Sequence, residues 1–70
     1  MTVKQDMQKA AAAAKSALGT YETFALSTQD QTAKEMFQEM AKDMERHVAM
    51  LNGRLNYLES NNSLNRQQQG

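Results

Sequence analysis

The chain has no cysteine and no proline, and only three of its 70 residues are glycine. Without cysteine it can form neither a disulfide nor a thiolate zinc site, which are the usual internal supports of a very small domain. Without proline, nothing interrupts a long helix. No glycine-rich loop precedes a helix to hold a phosphate group. Packing between helices, including helices of other copies, is therefore the remaining source of stability.

An excess of charge of one sign is also lacking. Eight lysine and arginine residues balance eight aspartate and glutamate residues, and the two signs are interspersed. No basic face is available to neutralise a run of phosphates, so nucleic acid is excluded as a partner. Lys4, Gln5 and Asp6 lie where a signal peptide needs an apolar run, and no later segment is apolar enough for a direct membrane span. The sequence predicts a soluble, unprocessed chain.

The sequence contains no arrangement of residues that is typical of catalysis. Its single histidine is His47, and no serine or threonine stands beside a histidine and an acid for nucleophilic work. No cofactor motif is present. We therefore predict a non-enzymatic protein without a cofactor.

One group of side chains could bind a metal ion. Glu39, Asp43 and His47 recur at four-residue steps along one side of a helix. Two-metal helical bundles use a Glu-x-x-His pair, whereas Met44 stands three residues before His47. We expect no metal site and interpret His47 as an interface residue, hydrogen-bonded to Asp43 or to a partner subunit. Protonation near pH ~6 would then loosen a symmetric assembly.

Apolar residues in the first third of the chain are spaced alternately by three and four positions. This is the heptad rhythm of a helix packed along another helix. Thr2 and Gln5 have the spacing of a capping box, which predicts helix 1 over about residues 3–27. Gly19 within it indicates close packing or simple tolerance. The apolar row consists of Val3, Met7, Ala10, Ala14, Ala17, Tyr21 and Phe24.

A polar run over residues 27–32 predicts the turn, with Asp30 as the N-cap of helix 2 and Thr28 as the alternative. Helix 2 is predicted over about residues 31–59, with one extra residue before Leu55 that acts as a stutter. The polar composition after Glu59 predicts a helix stop and a mobile tail over residues 61–70. The apolar row of helix 2 consists of Ala33, Phe37, Met40, Met44, His47, Leu51, Leu55 and Leu58.

The fold class that follows is all-α, an antiparallel two-helix hairpin over residues 1–60 that self-associates into a helical bundle or a larger assembly. Positions whose numbers add up to about 59 are expected to face one another, because both helices rise by ~1.5 Å per residue. Residues 10–14 then lie opposite residues 44–51, and Tyr21 and Phe24 lie opposite residues 33–37.

A lone hairpin of this size is expected to be marginally stable, since one small core rarely supplies more than ~3 to 5 kcal/mol. Met36, Val48, Met50 and Tyr57 lie off the main row, and Met50 is the methionine best placed as a surface contact. A closed four-helix dimer and an open filament both remain possible. The predicted oligomer interface consists of Met7, Ala14, Tyr21, Phe24, Phe37, Met40, Met44, His47, Met50, Leu51, Tyr57 and Leu58.

Several segments resemble a known family. The run over residues 21–30, the pairs Ala33-Lys34 and Met36-Phe37, and the segment over residues 54–59 are similar to short helical proteins of endospore-forming Firmicutes, the domain of unknown function 1657. The resemblance implies a place near sporulation and germination genes, including those of spore inner-membrane channel proteins. It supplies no catalytic or ligand residues. A weaker likeness to ferritin-like spore coat proteins rests on the helical pattern alone.

Three functions follow as expectations. The first is a structural protein that self-assembles into a homo-oligomer or filament and takes part in sporulation. The second is a binding module or accessory subunit that docks on a spore membrane protein. The third and least supported is a ferritin-like metal-binding bundle. Both the cytoplasm and the spore are compatible with the sequence.

Overall fold

The computed structural model describes the backbone of residues 2–69 and the side chains of residues 2–60. Within that part of the chain there are two α-helices and no strand: α1 (Val3–Ser27) and α2 (Gln31–Gln69). The helices pack against each other along the length of α1 as an antiparallel hairpin. The all-α prediction is confirmed.

The end of α2 differs from the prediction. Helical backbone continues past residue 59 to Gln69, so the expected helix stop after Glu59 is not present. Serine and asparagine disfavour a helix by less than about 0.7 kcal/mol each, and no proline follows to end it. A mobile tail was predicted over residues 61–70, and the side chains of these residues lie outside the described part of the chain.

Side chains fix the start of each helix. The Gln5 N–H donates to Thr2 Oγ1 at 3.0 Å, and the Thr2 N–H donates to Gln5 Oε1 at 3.1 Å, which confirms the capping box. At the turn, the Thr28 N–H donates to the Phe24 carbonyl at 2.9 Å and ends α1. Asp30 Oδ2 then accepts the Ala33 N–H at 2.8 Å. Asp30 is therefore the N-cap of α2, and the alternative with Thr28 as the cap is wrong.

The interior of the hairpin follows a heptad pattern, but not along the predicted rows. Val3, Ala10, Phe24 and His47 are exposed, although the sequence analysis placed all four in the seam between the helices. The rows that are buried or half-buried throughout consist of Lys4, Met7, Ala11, Ala14, Leu18, Tyr21 and Ala25 in α1, then Thr28 in the turn, and Lys34, Phe37, Ala41, Met44, Val48, Leu51, Leu55 and Leu58 in α2.

This change of row removes the predicted stutter. With Ala41 and Val48 inside, instead of Met40 and His47, the spacing in α2 alternates between three and four residues without interruption. The stutter predicted before Leu55 is therefore wrong. Both helices carry a continuous heptad repeat, which lets the contact run along the whole of α1.

The register of the hairpin agrees with the prediction. Residues in contact across the hairpin have position numbers that add up to between 58 and 63, close to the predicted sum of about 59. The Phe37 ring lies 6.4 Å from the Tyr21 ring and 5.3 Å from the Phe24 ring, which confirms that these aromatics meet near the turn. At the open end, Lys4 Nζ lies 4.0 Å from Glu59 Oε1.

The core of the hairpin is thin. Among the described side chains, the buried apolar residues are all alanines: Ala11, Ala14, Ala25 and Ala41. No larger side chain in that part of the chain is fully buried. Alanines let the two helices approach closely, while the methionines, leucines and aromatics beside them keep part of their surface in contact with solvent.

Gly19 offers a direct test of stability. A Cβ atom added at Gly19 would meet no atom within 4 Å, so this glycine reflects tolerance and not close packing. Replacing Gly19 with alanine is expected to raise the free energy of unfolding by about 1 kcal/mol, because alanine is the better helix former. Urea unfolding followed by circular dichroism measures the change. Equal or lower stability of the variant would contradict the open environment of this position.

Candidate interaction surface

The hairpin has two broad faces that differ in polarity. Residues seven positions apart share one side of each helix, and the two helices of an antiparallel hairpin present corresponding rows to the same side. We call one side the apolar face: Val3, Asp6, Ala10, Ala13, Ala17, Thr20 and Phe24 of α1 and Ala33, Met36, Met40, Asp43, His47, Met50, Arg54 and Tyr57 of α2. We call the other side the polar face: Gln8, Lys15 and Glu22 of α1 and Gln38, Glu45, Asn52 and Glu59 of α2.

Large side chains on the apolar face are open to solvent. Met50 is 72% exposed, Met36 59%, Tyr57 55% and Phe24 44%. The Arg54 guanidinium carbon lies 4.8 Å from the centre of the Tyr57 ring, a cation–π contact that holds both side chains on this face. Exposed apolar groups concentrated on one side of a small protein are typical of an interaction surface.

A shallow groove follows the apolar face. It has a volume of about 440 Å³ and is lined by Met7, His47, Met50, Leu51 and Arg54. Methionine side chains adapt their shape easily, which suits a groove that receives side chains from another helix. The groove therefore has the chemistry of a contact surface between helices.

The polar face carries a groove of similar size with charged walls. Its volume is about 470 Å³, and Glu22, Lys34, Lys42 and Glu45 line it together with apolar residues of both helices. Leu26, at 83% exposure, is one of the apolar residues that line this groove. Charged residues of both signs indicate a solvated surface.

The predicted interface residues fall into three groups. Ala14 is buried between the two helices, and Phe24, His47, Met50 and Tyr57 are exposed on the apolar face. The others are half-buried along the hairpin: Met7, Tyr21, Phe37, Met40, Met44, Leu51 and Leu58. Their part in an oligomer stays a prediction.

Sequence reasoning missed several residues of the hairpin interior and of the apolar face. Ala11, Leu18 and Ala25 form a third apolar row in α1, and Ala41 and Val48 are their counterparts in α2. The signal was available, because three apolar positions per heptad indicate a helix with two neighbouring partners. Ala13, Asp6 and Arg54 of the apolar face were not singled out either.

Two of the residues considered for metal binding interact with basic side chains instead. Glu39 Oε1 lies 3.9 Å from Lys42 Nζ, and Asp43 accepts a hydrogen bond from Arg46. His47 is exposed on the apolar face, so its predicted half-buried place in the seam of the hairpin is wrong. Among the described side chains, no three histidine or acidic groups are placed to hold a metal ion. The pH dependence expected of His47 stays a prediction.

Comparison with known proteins gives a family but no annotated relative. Neither described helix has a stretch apolar and long enough to cross a membrane. No curated protein matches the chain, and no solved structure matches it. The model of one family, protein of unknown function (DUF1657), matches residues 7–55, which include most of α1, the turn and the first part of α2. Since this match spans most of the sequence, the chain belongs to the DUF1657 family.

Proposed function

We propose that the protein is a non-enzymatic structural protein that self-associates, with its apolar face packed against a second copy of the chain. The observation that carries this proposal is the contrast between the hairpin core and its surface. The core buries alanines, whereas Phe24, Met36 and Met50 remain exposed on one face. Covering that face would supply the burial of large apolar side chains that a single hairpin lacks.

The difference between the two faces favours a closed assembly over a filament. An open filament needs two distinct contact surfaces on each subunit, whereas a two-fold dimer uses one surface twice. The polar face carries charges of both signs and suits contact with water. One apolar face per hairpin is what a four-helix dimer requires.

The mass of the purified protein tests self-association. We expect sedimentation equilibrium to give a mass of twice the 7.9 kDa of one chain. The melting temperature should rise with protein concentration, because assembly stabilises the folded chain by mass action. A single-chain mass at concentrations up to about 1 mM, together with a constant melting temperature, would contradict the proposal.

A second candidate function uses the same face. The resemblance to helical proteins of endospore-forming Firmicutes implies a sporulation role, and a helix of a spore membrane protein could dock in the groove beside Met50. Immunoblotting of growing and sporulating cells tests the biological setting. We expect the protein to accumulate during sporulation, and equal amounts in both conditions would contradict that setting while leaving self-association open to its own test.

A further inference from the structure

We infer that the assembly is a closed two-fold dimer in which α1 of each copy lies over α2 of the other, with both turns at the same end. This inference rests on the proposed function, namely that the apolar face contacts a second copy. It adds the arrangement of the four helices and the residues that determine it. Side-chain size and charge along the apolar face favour this arrangement.

Side-chain size differs between the two halves of the apolar face. The middle of α1 contributes Ala10, Ala13 and Ala17, while α2 contributes His47 and Met50 at the same level of the hairpin. Placing α1 over the partner's α2 sets each large side chain against alanines. Dense packing between helices requires this pairing of large with small side chains.

The end near the turn is apolar in both helices. Phe24 of α1 lies at the level of Met36 and Met40 of α2, since its ring lies 5.3 Å from the ring of Phe37, which stands between them in the sequence. In the inferred dimer Phe24 meets the partner's Met36 and the partner's Met40. Sulfur atoms of methionine pack favourably against aromatic rings.

The open end carries complementary charges. Asp6 of α1 and Arg54 of α2 lie on the apolar face near the same level, since Met7, the neighbour of Asp6, lines one groove together with Arg54. With α1 over the partner's α2, Asp6 comes next to the partner's Arg54, and the two-fold axis produces this pair twice. The contact of Arg54 with the Tyr57 ring keeps the guanidinium group on the same face. Charge pairs of this kind fix the register of an interface.

The other two-fold arrangement has neither the match of large with small side chains nor the pairing of opposite charges. It places α1 over the partner's α1 and α2 over the partner's α2, with the turns at opposite ends. Alanines would then face alanines and leave space, while Met50 and His47 would meet the equally large side chains of the partner's α2. Asp6 and the partner's Arg54 would lie at opposite ends of the dimer. Size and charge therefore both favour α1 over the partner's α2.

Cysteine cross-linking distinguishes the two arrangements, since the natural chain contains no cysteine. One chain carries Ala13→Cys, a second carries Met50→Cys, and the two are mixed and oxidised. We expect the mixed disulfide to form at least about tenfold faster than the disulfide of either chain with itself, because the inferred dimer holds these positions together. Ala12→Cys, on the solvent side of α1, is the matched control and should give no such preference.

Charge reversal provides the second test. Asp6→Lys or Arg54→Glu alone is expected to weaken the dimer by on the order of tenfold in Kd, since like charges then face each other. The double variant Asp6→Lys with Arg54→Glu should restore the Kd to within about threefold of the wild-type value. Asp6→Lys also removes an acid from the first turn of α1, an effect that Arg54→Glu does not repair. Restoration therefore identifies the pair.

The outcomes separate this inference from the proposed function. A wild-type chain that stays single at every concentration overturns the proposed function and this inference together. A wild-type dimer in which Ala13→Cys links most rapidly to itself, or in which the double charge reversal restores nothing, overturns the inferred arrangement while self-association stands. Rapid mixed cross-linking together with charge restoration supports it.

Discussion

Replacing Ala14 with glutamate is expected to abolish both the hairpin and its self-association. Ala14 is one of the four alanines buried between the helices. A carboxylate there must either push the helices apart or lose its hydration, at a cost of several kcal/mol. Because a domain of this size has about 3 to 5 kcal/mol of net stability, one such change removes most of it. Circular dichroism should show loss of the cooperative thermal transition.

Three neighbouring alanines supply matched controls for this variant. Ala12 faces solvent, Ala13 lies on the apolar face and Ala14 lies between the helices. Glutamate at each position adds the same charge and nearly the same helix propensity. Ala12→Glu should behave like the wild type, Ala13→Glu should weaken self-association, and Ala14→Glu should unfold the hairpin. If Ala14→Glu melts and sediments like Ala12→Glu, Ala14 does not lie in the interior.

Local signals in the sequence predicted the helices and their caps well. The capping box at Thr2 and the N-cap at Asp30 depend on hydrogen bonds within three residues, so the sequence contains all the information they need. The absence of proline allowed long helices. The end of α2 was placed too early, because serine and asparagine only weaken a helix and nothing after Glu59 is a strong stop signal.

The choice of interior row could not be made from one helix at a time. In α1 the rows that contain Ala10, Ala14 and Ala11 are apolar apart from Lys4 at the start of the last row, and each adjacent pair of rows forms a plausible heptad seam. The partner helix decides which pair is inside. The predicted stutter in α2 was a sign of the wrong choice, since the row through Ala41 and Val48 continues without a break. The row through Ala10, which was predicted to lie inside, belongs to the exposed apolar face.

The polar residues within the apolar face had no local signature. Asp6 and Arg54 are far apart in sequence and are each ordinary surface residues of a helix. Only the register of the hairpin brings them to the same end of the same face. For this reason the sequence alone predicts which residues form an interface but not how the two copies are oriented.

Met50→Glu is the second variant for which we expect a large effect, with loss of the oligomer and retention of the hairpin. Met50 is 72% exposed in the single chain, so glutamate at this position disturbs no contact within the hairpin core. In the assembly each copy would bury a carboxylate beside alanines of its partner, which costs several kcal/mol per dimer. Sedimentation should therefore show a single-chain mass at concentrations where the wild type is dimeric.

Ala49→Glu is the control for this variant, because Ala49 is the preceding residue in α2, is exposed and lies outside the apolar face. It adds the same charge to the same turn of the helix. We expect the dimer to persist with Ala49→Glu and to dissociate with Met50→Glu, whose melting temperature should no longer vary with concentration. Equal Kd values for the two variants would show that the contact between copies lies elsewhere. Dissociation by Met50→Glu alone would show that the two copies contact each other through the apolar face.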